Sequence, residues 1–147
     1  MAAPESDPHH VVDGLFTDTA DGPRLLLSRC AACGTLAFPS SASCRNPDCA
    51  GNGTQEAFVG PEGRVWSYTI QHYAPPPPFV AADPFQPYAI ALVEFPEGIR
   101  IAGMVVGDPD EVEIGSRARL VLEPVGSGAP GEALTWKFRV TSAQDAP

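Results

Sequence analysis

The sequence predicts a mainly β protein in which a short cysteine-rich module precedes a small five-stranded barrel. Three observations predict it. The 147 residues include 17 Pro and 14 Gly, which punctuate the chain and exclude long helices over most of it. All four cysteines fall between Cys30 and Cys49. Beyond Gly53, five segments rich in Val, Ile, Tyr, Phe and Trp are separated by turns, and such residues suit strands.

Hydrophobic residues make up 44% and charged residues 18%, enough apolar material for one ordinary domain or two very small ones. With 9 Lys+Arg against 18 Asp+Glu, the net charge of -9 repels phosphate backbones and disfavours nucleic acid as a partner. No apolar run approaches the roughly 20 residues of a membrane helix. The opening MAAPESDPHH lacks the basic start and apolar stretch of a secretion signal. The protein is therefore expected to be soluble and cytoplasmic, with no membrane partner.

Residues 1–23 read as a flexible or weakly helical N-terminal arm, polar at first and carrying Pro4, Pro8 and His9-His10, with a weak helical signal over Val11 to Phe16. Arg24 to Arg29 is a short strand leading into the cysteines, and residues 24–56 form the cysteine module. Residues 57–147 form the barrel domain. Its first strand, Gly63 to Tyr73, sets Trp66, Tyr68, Ile70 and His72 on one face and Ser67, Thr69 and Gln71 on the other. Tyr88 to Phe95 is apolar on both faces, as a central strand would be. Ile99 to Gly107 follows after the turn at Pro96-Glu97-Gly98. Arg117 to Val125 directs Ala118, Leu120 and Leu122 inward. Ala133 to Ser142 directs Leu134, Trp136, Phe138 and Val140 inward and Thr135, Lys137, Arg139 and Thr141 outward. Closing five such strands removes exposed edges.

Two connections stand out. Asp108, Asp110, Glu111 and Glu113 lie between the third and fourth strands without a basic neighbour. They read as a solvated acidic turn, or as a metal site that lacks calcium-loop spacing. Ala74 to Pro87 contains four consecutive prolines together with Phe79 and Phe85. It predicts a stiff, partly polyproline-type excursion over one barrel mouth, from which the two phenylalanines either tuck back or stay available to a partner.

Cys30-Ala31-Ala32-Cys33-Gly34 is followed ten residues later by Cys44 and then Cys49. Two close pairs a short loop apart let four thiolates converge on one zinc ion. Gly34 fits a tight knuckle around sulfur. A disulfide needs an oxidising compartment that nothing here indicates, and a thioredoxin-like redox site needs helical βαβ surroundings. Four protein ligands close the site, so zinc would be structural and do no chemistry. No glycine-rich phosphate loop, nucleophile elbow or HExxH helix is present. His72 reads as a barrel-rim histidine or as a general base, and no catalytic residue is assigned.

The order of these motifs carries a resemblance. Cys30, Cys33-Gly34, Phe38-Pro39, Cys44 and Cys49 are followed by Val65-Trp66-Ser67-Tyr68-Thr69, His72, Pro87-Tyr88-Ala89-Ile90-Ala91 and Glu97-Gly98-Ile99-Arg100. Over residues 24 to 142 the chain resembles the zinc-ribbon plus OB-fold acyl-CoA-associated family, domain of unknown function thirty-five. The resemblance implies an N-terminal rubredoxin-like zinc ribbon followed by a small five-stranded OB-fold barrel, with Cys30, Cys33, Cys44 and Cys49 on structural zinc. Members are noncatalytic partners of thiolase-fold enzymes: thiolases, lipid-transfer-like aldolases, an archaeal thiolase and hydroxymethylglutaryl-CoA synthase assembly, and a bacterial acyltransferase. Relatives usually begin with an amphipathic helix, whereas Pro4, Pro8 and Pro23 stand here, so N-terminal contacts are not carried over. Four residues separate Cys44 from Cys49 instead of the commoner two.

The expected function is that of a noncatalytic accessory subunit, inert alone, which binds a thiolase-fold enzyme acting on a CoA thioester. It stabilises that partner and helps shape its channel in a hetero-oligomer. Phe79, Phe85 and Tyr88, with Trp66 and His72, are expected at the partner or substrate channel. The alternative is a single-stranded nucleic-acid-binding module that stacks bases on Trp66, Tyr68 and Phe79 but lacks a basic groove. A stand-alone enzyme working through His72 is the third possibility.

Overall fold

A computed structural model of the chain describes residues 14–51, 53–77, 79, 81, 83–125 and 133–141. Residues 1–13, which hold His9-His10 and most of the expected arm, lie outside the described residues.

The first sheet is built around β2 (Gly22–Cys30). β1 (Phe16–Thr19) pairs with its first half and β3 (Leu36–Ala37) with Ser28 and Arg29, while β4 (Thr54–Val59) runs along Leu25 to Cys30. Phe16, Leu25, Leu27 and Val59 are almost fully buried. The hairpin of β1 and β2 occupies residues the sequence assigned to the arm, and Phe16 is extended where a helical turn was expected. At the other end, β4 carries this sheet to Val59. The reason is hydrogen bonding: β2 buries its backbone, so both of its edges need partners.

The second unit contains β5 (Glu62–Gln71), β6 (Tyr88–Glu94), β7 (Arg100–Val106), β8 (Arg117–Pro124) and β9 (Leu134–Thr141). They close as a barrel in the order β5-β6-β7-β9-β8, antiparallel throughout except for the parallel pair β7 and β9. All five predicted barrel strands are present within a residue or two of their expected bounds. Small residues make room for a large ring in this narrow barrel. Phe138 is fully buried among Ala91, Ala118 and Leu120, and Gly103 gives it room. β6 departs from expectation, because Ala89, Ala91 and Val93 are buried while Ile90 and Leu92 are half-buried. A closed barrel has one solvent side, and that side cannot be wholly covered. Thr135, expected outward, is buried too. The acidic connection forms a 3-10 turn at Pro109–Glu111, capped by the Asp108 carboxylate accepting from the Asp110 N–H at 2.8 Å.

Trp136 joins the two units. Its ring lies 6.1 Å from Phe16 and edge-on to Phe38 at 5.6 Å, and its indole N–H donates to the Ala102 carbonyl at 3.0 Å. One hydrophobic core therefore runs from Leu25 and Leu27 through to Phe138. Trp136→Ala is expected to lower stability by about 3 kcal/mol. It should also split a single urea unfolding transition, followed by circular dichroism, into two. A single unshifted transition would mean that the units are not coupled here.

Candidate metal centre and exposed aromatic surface

β2 delivers Cys30 at its last position, where the chain turns sharply. Cys30 N–H donates to the Thr35 carbonyl at 2.9 Å, and Gly34 N–H returns to the Cys30 carbonyl at 3.0 Å. Gly34 adopts φ +77°, a region that disfavours side chains. Backbone donors then wrap the sulfurs. The N–H groups of Ala32 and Cys33 point to Cys30 Sγ at 3.4 and 3.5 Å, Asn46 N–H to Cys44 Sγ at 3.4 Å, and Gly51 N–H to Cys49 Sγ at 3.3 Å. The second knuckle accommodates its longer spacing through Asn46, whose carbonyl accepts from Cys49 N–H and whose side chain accepts from Asp48 N–H.

The four sulfurs lie within 4.8 Å of one another, with Cys30 to Cys49 at 3.8 Å and Cys33 to Cys44 at 3.5 Å. A tetrahedral ion with sulfurs at about 2.3 Å separates them by about 3.8 Å, so this donor set fits zinc. No pair approaches the disulfide length of about 2 Å, and all four cysteines are free. The sulfurs also perturb one another's ionisation. Hydrogen bonds from the Thr35 hydroxyl and N–H lower the Cys33 thiol to about 6. Those from the Cys33 and Ala32 N–H groups lower Cys30. The Asn46 N–H lowers Cys44, but burial and the neighbouring cysteines outweigh it and push that thiol up to about 12. Cys49 rises too, since Cys33 and burial outweigh its bond from Gly51 N–H. Four thiolates this close do not coexist without a positive ion between them. Sequence reasoning missed Gly51: a Cβ there would stand 2.8 Å from Ala32 Cβ and 3.3 Å from the sulfurs of Cys30 and Cys49. Its one signal is a small residue two positions after the last cysteine. Among the described residues no other cluster of His, Cys, Asp or Glu is suited to a metal, so the acidic turn forms no such site there.

The other candidate residues line β5 and the loop after it. A bulge between Val65 and Ser67 shifts the strand's alternation. Trp66 therefore does not share a face with Tyr68, as the sequence predicted, because an extra residue in one strand inverts parity beyond it. Trp66 is 47% exposed on the outer face, with the Arg100 guanidinium 3.9 Å from its ring and Glu94 holding Arg100 at 2.8 Å. Tyr68 pairs with buried Ala91 yet is 39% exposed, since β8 covers β5 only from Glu62 to Arg64 and leaves the mouth open beyond. His72 is exposed at the end of β5. Phe79 and Phe85 are half-buried; Phe85 tucks edge-on against Tyr88 at 6.4 Å. Burial, then Tyr73, raises the Tyr88 hydroxyl. Tyr73 itself, 68% exposed, was not singled out from the sequence.

A four-cysteine ribbon packed on a five-stranded barrel of this strand order defines a rubredoxin-like ribbon and OB-fold protein. The family profile described as ChsH2, rubredoxin-like zinc ribbon domain, matches residues 20–54, and the ChsH2 C-terminal OB-fold domain matches residues 56–123. The DUF35 domain-containing scaffold protein of Methanothermobacter thermautotrophicus is 32% identical over an alignment of 118 residues that covers 76% of this chain and 81% of that protein. The chain belongs to this DUF35 family. It is 38% identical over 104 residues, or 70% of its length, to a probable enoyl-CoA hydratase alpha subunit of Thermomonospora curvata, but spans only 30% of that protein. The benzoylsuccinyl-CoA thiolase subunit BbsA of Thauera aromatica is 28% identical over an alignment of 128 residues that covers 85% of this chain and 83% of its own. Among solved structures, the Ltp2-ChsH2(DUF35) aldolase is similar at TM-score 0.60 and 35% identity, covering 80% of this chain and 84% of that one.

Proposed function

We propose that this chain is a noncatalytic accessory subunit that docks on a thiolase-fold enzyme processing a CoA thioester, stabilises it and lines part of its substrate channel. One zinc ion, held by Cys30, Cys33, Cys44 and Cys49, supplies only structural cross-linking, because four protein sulfurs leave no position for substrate or water. The observation that carries the reading is the exposure of Tyr68 and Tyr73 at the open end of β5, with Trp66 exposed on the neighbouring outer face. Large exposed rings grouped in this way mark interaction surfaces. Two relatives, a thiolase subunit and a chain of an aldolase complex, point to the same kind of partner. Phe79, Phe85, Tyr88, Trp66 and His72 then belong to the contact or channel surface. Four clustered free thiols suit the reducing cytoplasm.

The test is affinity purification of the tagged full-length chain from its own cells, with mass spectrometry of the co-eluting proteins. A thiolase-fold protein in near-equal amount is expected. Trp66→Ala with Phe79→Ala should weaken its retention by about 30-fold, the effect of losing roughly 2 kcal/mol of interface anchor. Unchanged retention would remove the aromatic surface from the interface. Recovery of nucleic acid in place of an enzyme would overturn the reading.

A further inference from the structure

The chain is acidic overall, yet its arginines gather on the outer faces of β5, β8 and β9. Arg64 on β5 lies directly opposite Arg117 on β8, and Arg119 on β8 directly opposite Arg139 on β9. Like charges in directly opposed cross-strand positions are destabilising. The second pair is compensated, because Arg119 meets Glu62 and Arg139 approaches Glu123 at 3.5 Å. The first is not. Among the described residues neither Arg64 nor Arg117 forms an ion pair, and Arg64 is held only by donating to the Gly115 carbonyl at 3.1 Å.

Both arginines line a cleft of about 570 Å³, whose other walls are Glu62, Gly63, Glu94, Phe95 and Pro96. The two acids in that wall already have their own arginines, Glu62 with Arg119 and Glu94 with Arg100. Two uncompensated guanidinium groups therefore face one cleft beside the apolar edge of Phe95 and Pro96. We infer that this cleft binds a small molecule bearing a phosphate monoester or diphosphate. The planar fork of arginine matches phosphate oxygens two at a time. Two adjacent forks balance a dianion, whereas a carboxylate would leave one of them unmatched. Phe95 and Pro96 then receive the apolar or ring portion of the ligand. The phosphates of a CoA thioester and a free nucleotide share this chemistry. The inference does not depend on the accessory role, because one chain supplies the whole cleft.

The test is calorimetric titration of the full-length zinc-loaded chain with inorganic pyrophosphate, ADP, adenosine 3′,5′-bisphosphate and coenzyme A. At least one is expected to bind, more weakly as salt rises. Arg64→Gln and Arg117→Gln should each cost about tenfold in affinity or more, whereas Arg139→Gln, outside the cleft, should cost little. Preference for coenzyme A over ADP identifies the thioester as the source, and equal binding identifies a free nucleotide. The double variant R64Q/R117Q should melt no lower than the parent at low salt, since it relieves a like-charge pair. A clear drop in melting temperature would assign the arginines to the fold and overturn the inference. So would failure of every phosphate compound to bind, or equal binding by the variants. If the parent binds none of them but R64Q/R117Q loses a co-purifying protein, the face is a protein docking surface instead.

Discussion

Cys44→Ser is expected to abolish binding of one equivalent of zinc and to unfold the ribbon while leaving the barrel strands paired. A serine hydroxyl does not replace a thiolate on zinc, and the remaining sulfurs repel one another when ionised. Little else holds Cys30 to Gly51 in place: β3 is two residues long, and the knuckles rest on N–H bonds to sulfur. Structural zinc contributes about 10–16 kcal/mol of apparent binding energy in comparable small modules, more than this segment's packing can replace. Amide spectra should lose dispersion for residues 30–51 and keep it for β5 to β9, and a chelator acting on the parent protein should do the same. Because Trp136 couples the ribbon sheet to the barrel, the remaining fold should also melt at lower temperature. Intact ribbon dispersion in metal-free Cys44→Ser would show that zinc is dispensable.

The second large effect sits in the barrel. Phe138→Ala should cost about 3–5 kcal/mol, a large share of the roughly 5–15 kcal/mol that holds a domain together. Phe138 is fully buried with its ring tilted at 48° to that of Phe95, 6.2 Å away, so its removal leaves a large cavity in the barrel core. Gly103 tests the same packing from the opposite side. A Cβ there would lie 2.7 Å from Phe138 Cε2 and 3.0 Å from Trp136 Nε1, so Gly103→Ala forces both rings to shift, at about 1–3 kcal/mol. Because the two sites share one volume, Phe138→Leu should be less harmful in the Gly103→Ala background than alone, a coupling that urea denaturation of the four proteins measures. A loss below about 1 kcal/mol for Phe138→Ala would contradict the packing described.

How much of this was legible in the sequence varies with the distance over which each feature is decided. The alternation of Ala118, Leu120 and Leu122 locates β8, and the run from Tyr88 to Phe95 locates β6, because strand periodicity is local. The four cysteines likewise announce a donor set suited to a metal through their local spacing. β4 was not legible: Thr54 to Val59 has weak alternation and becomes a strand only because β2 needs a partner on its second edge. The bulge beside Trp66 was not legible either, since it appears only when Val65 is set against Val93 and Ser67 against Leu92.

The sequence by itself determined a mainly β chain, a closed four-cysteine donor set and an aromatic, proline-rich loop, each written in residues near one another along the chain. The tertiary structure alone decided that Trp66 faces outward under Arg100, that Gly51 closes the sulfur cage, and that Arg64 meets Arg117 across one cleft. Those outcomes depend on strand register and barrel closure. Pairing energies between segments far apart in the chain set both, and local composition does not record them.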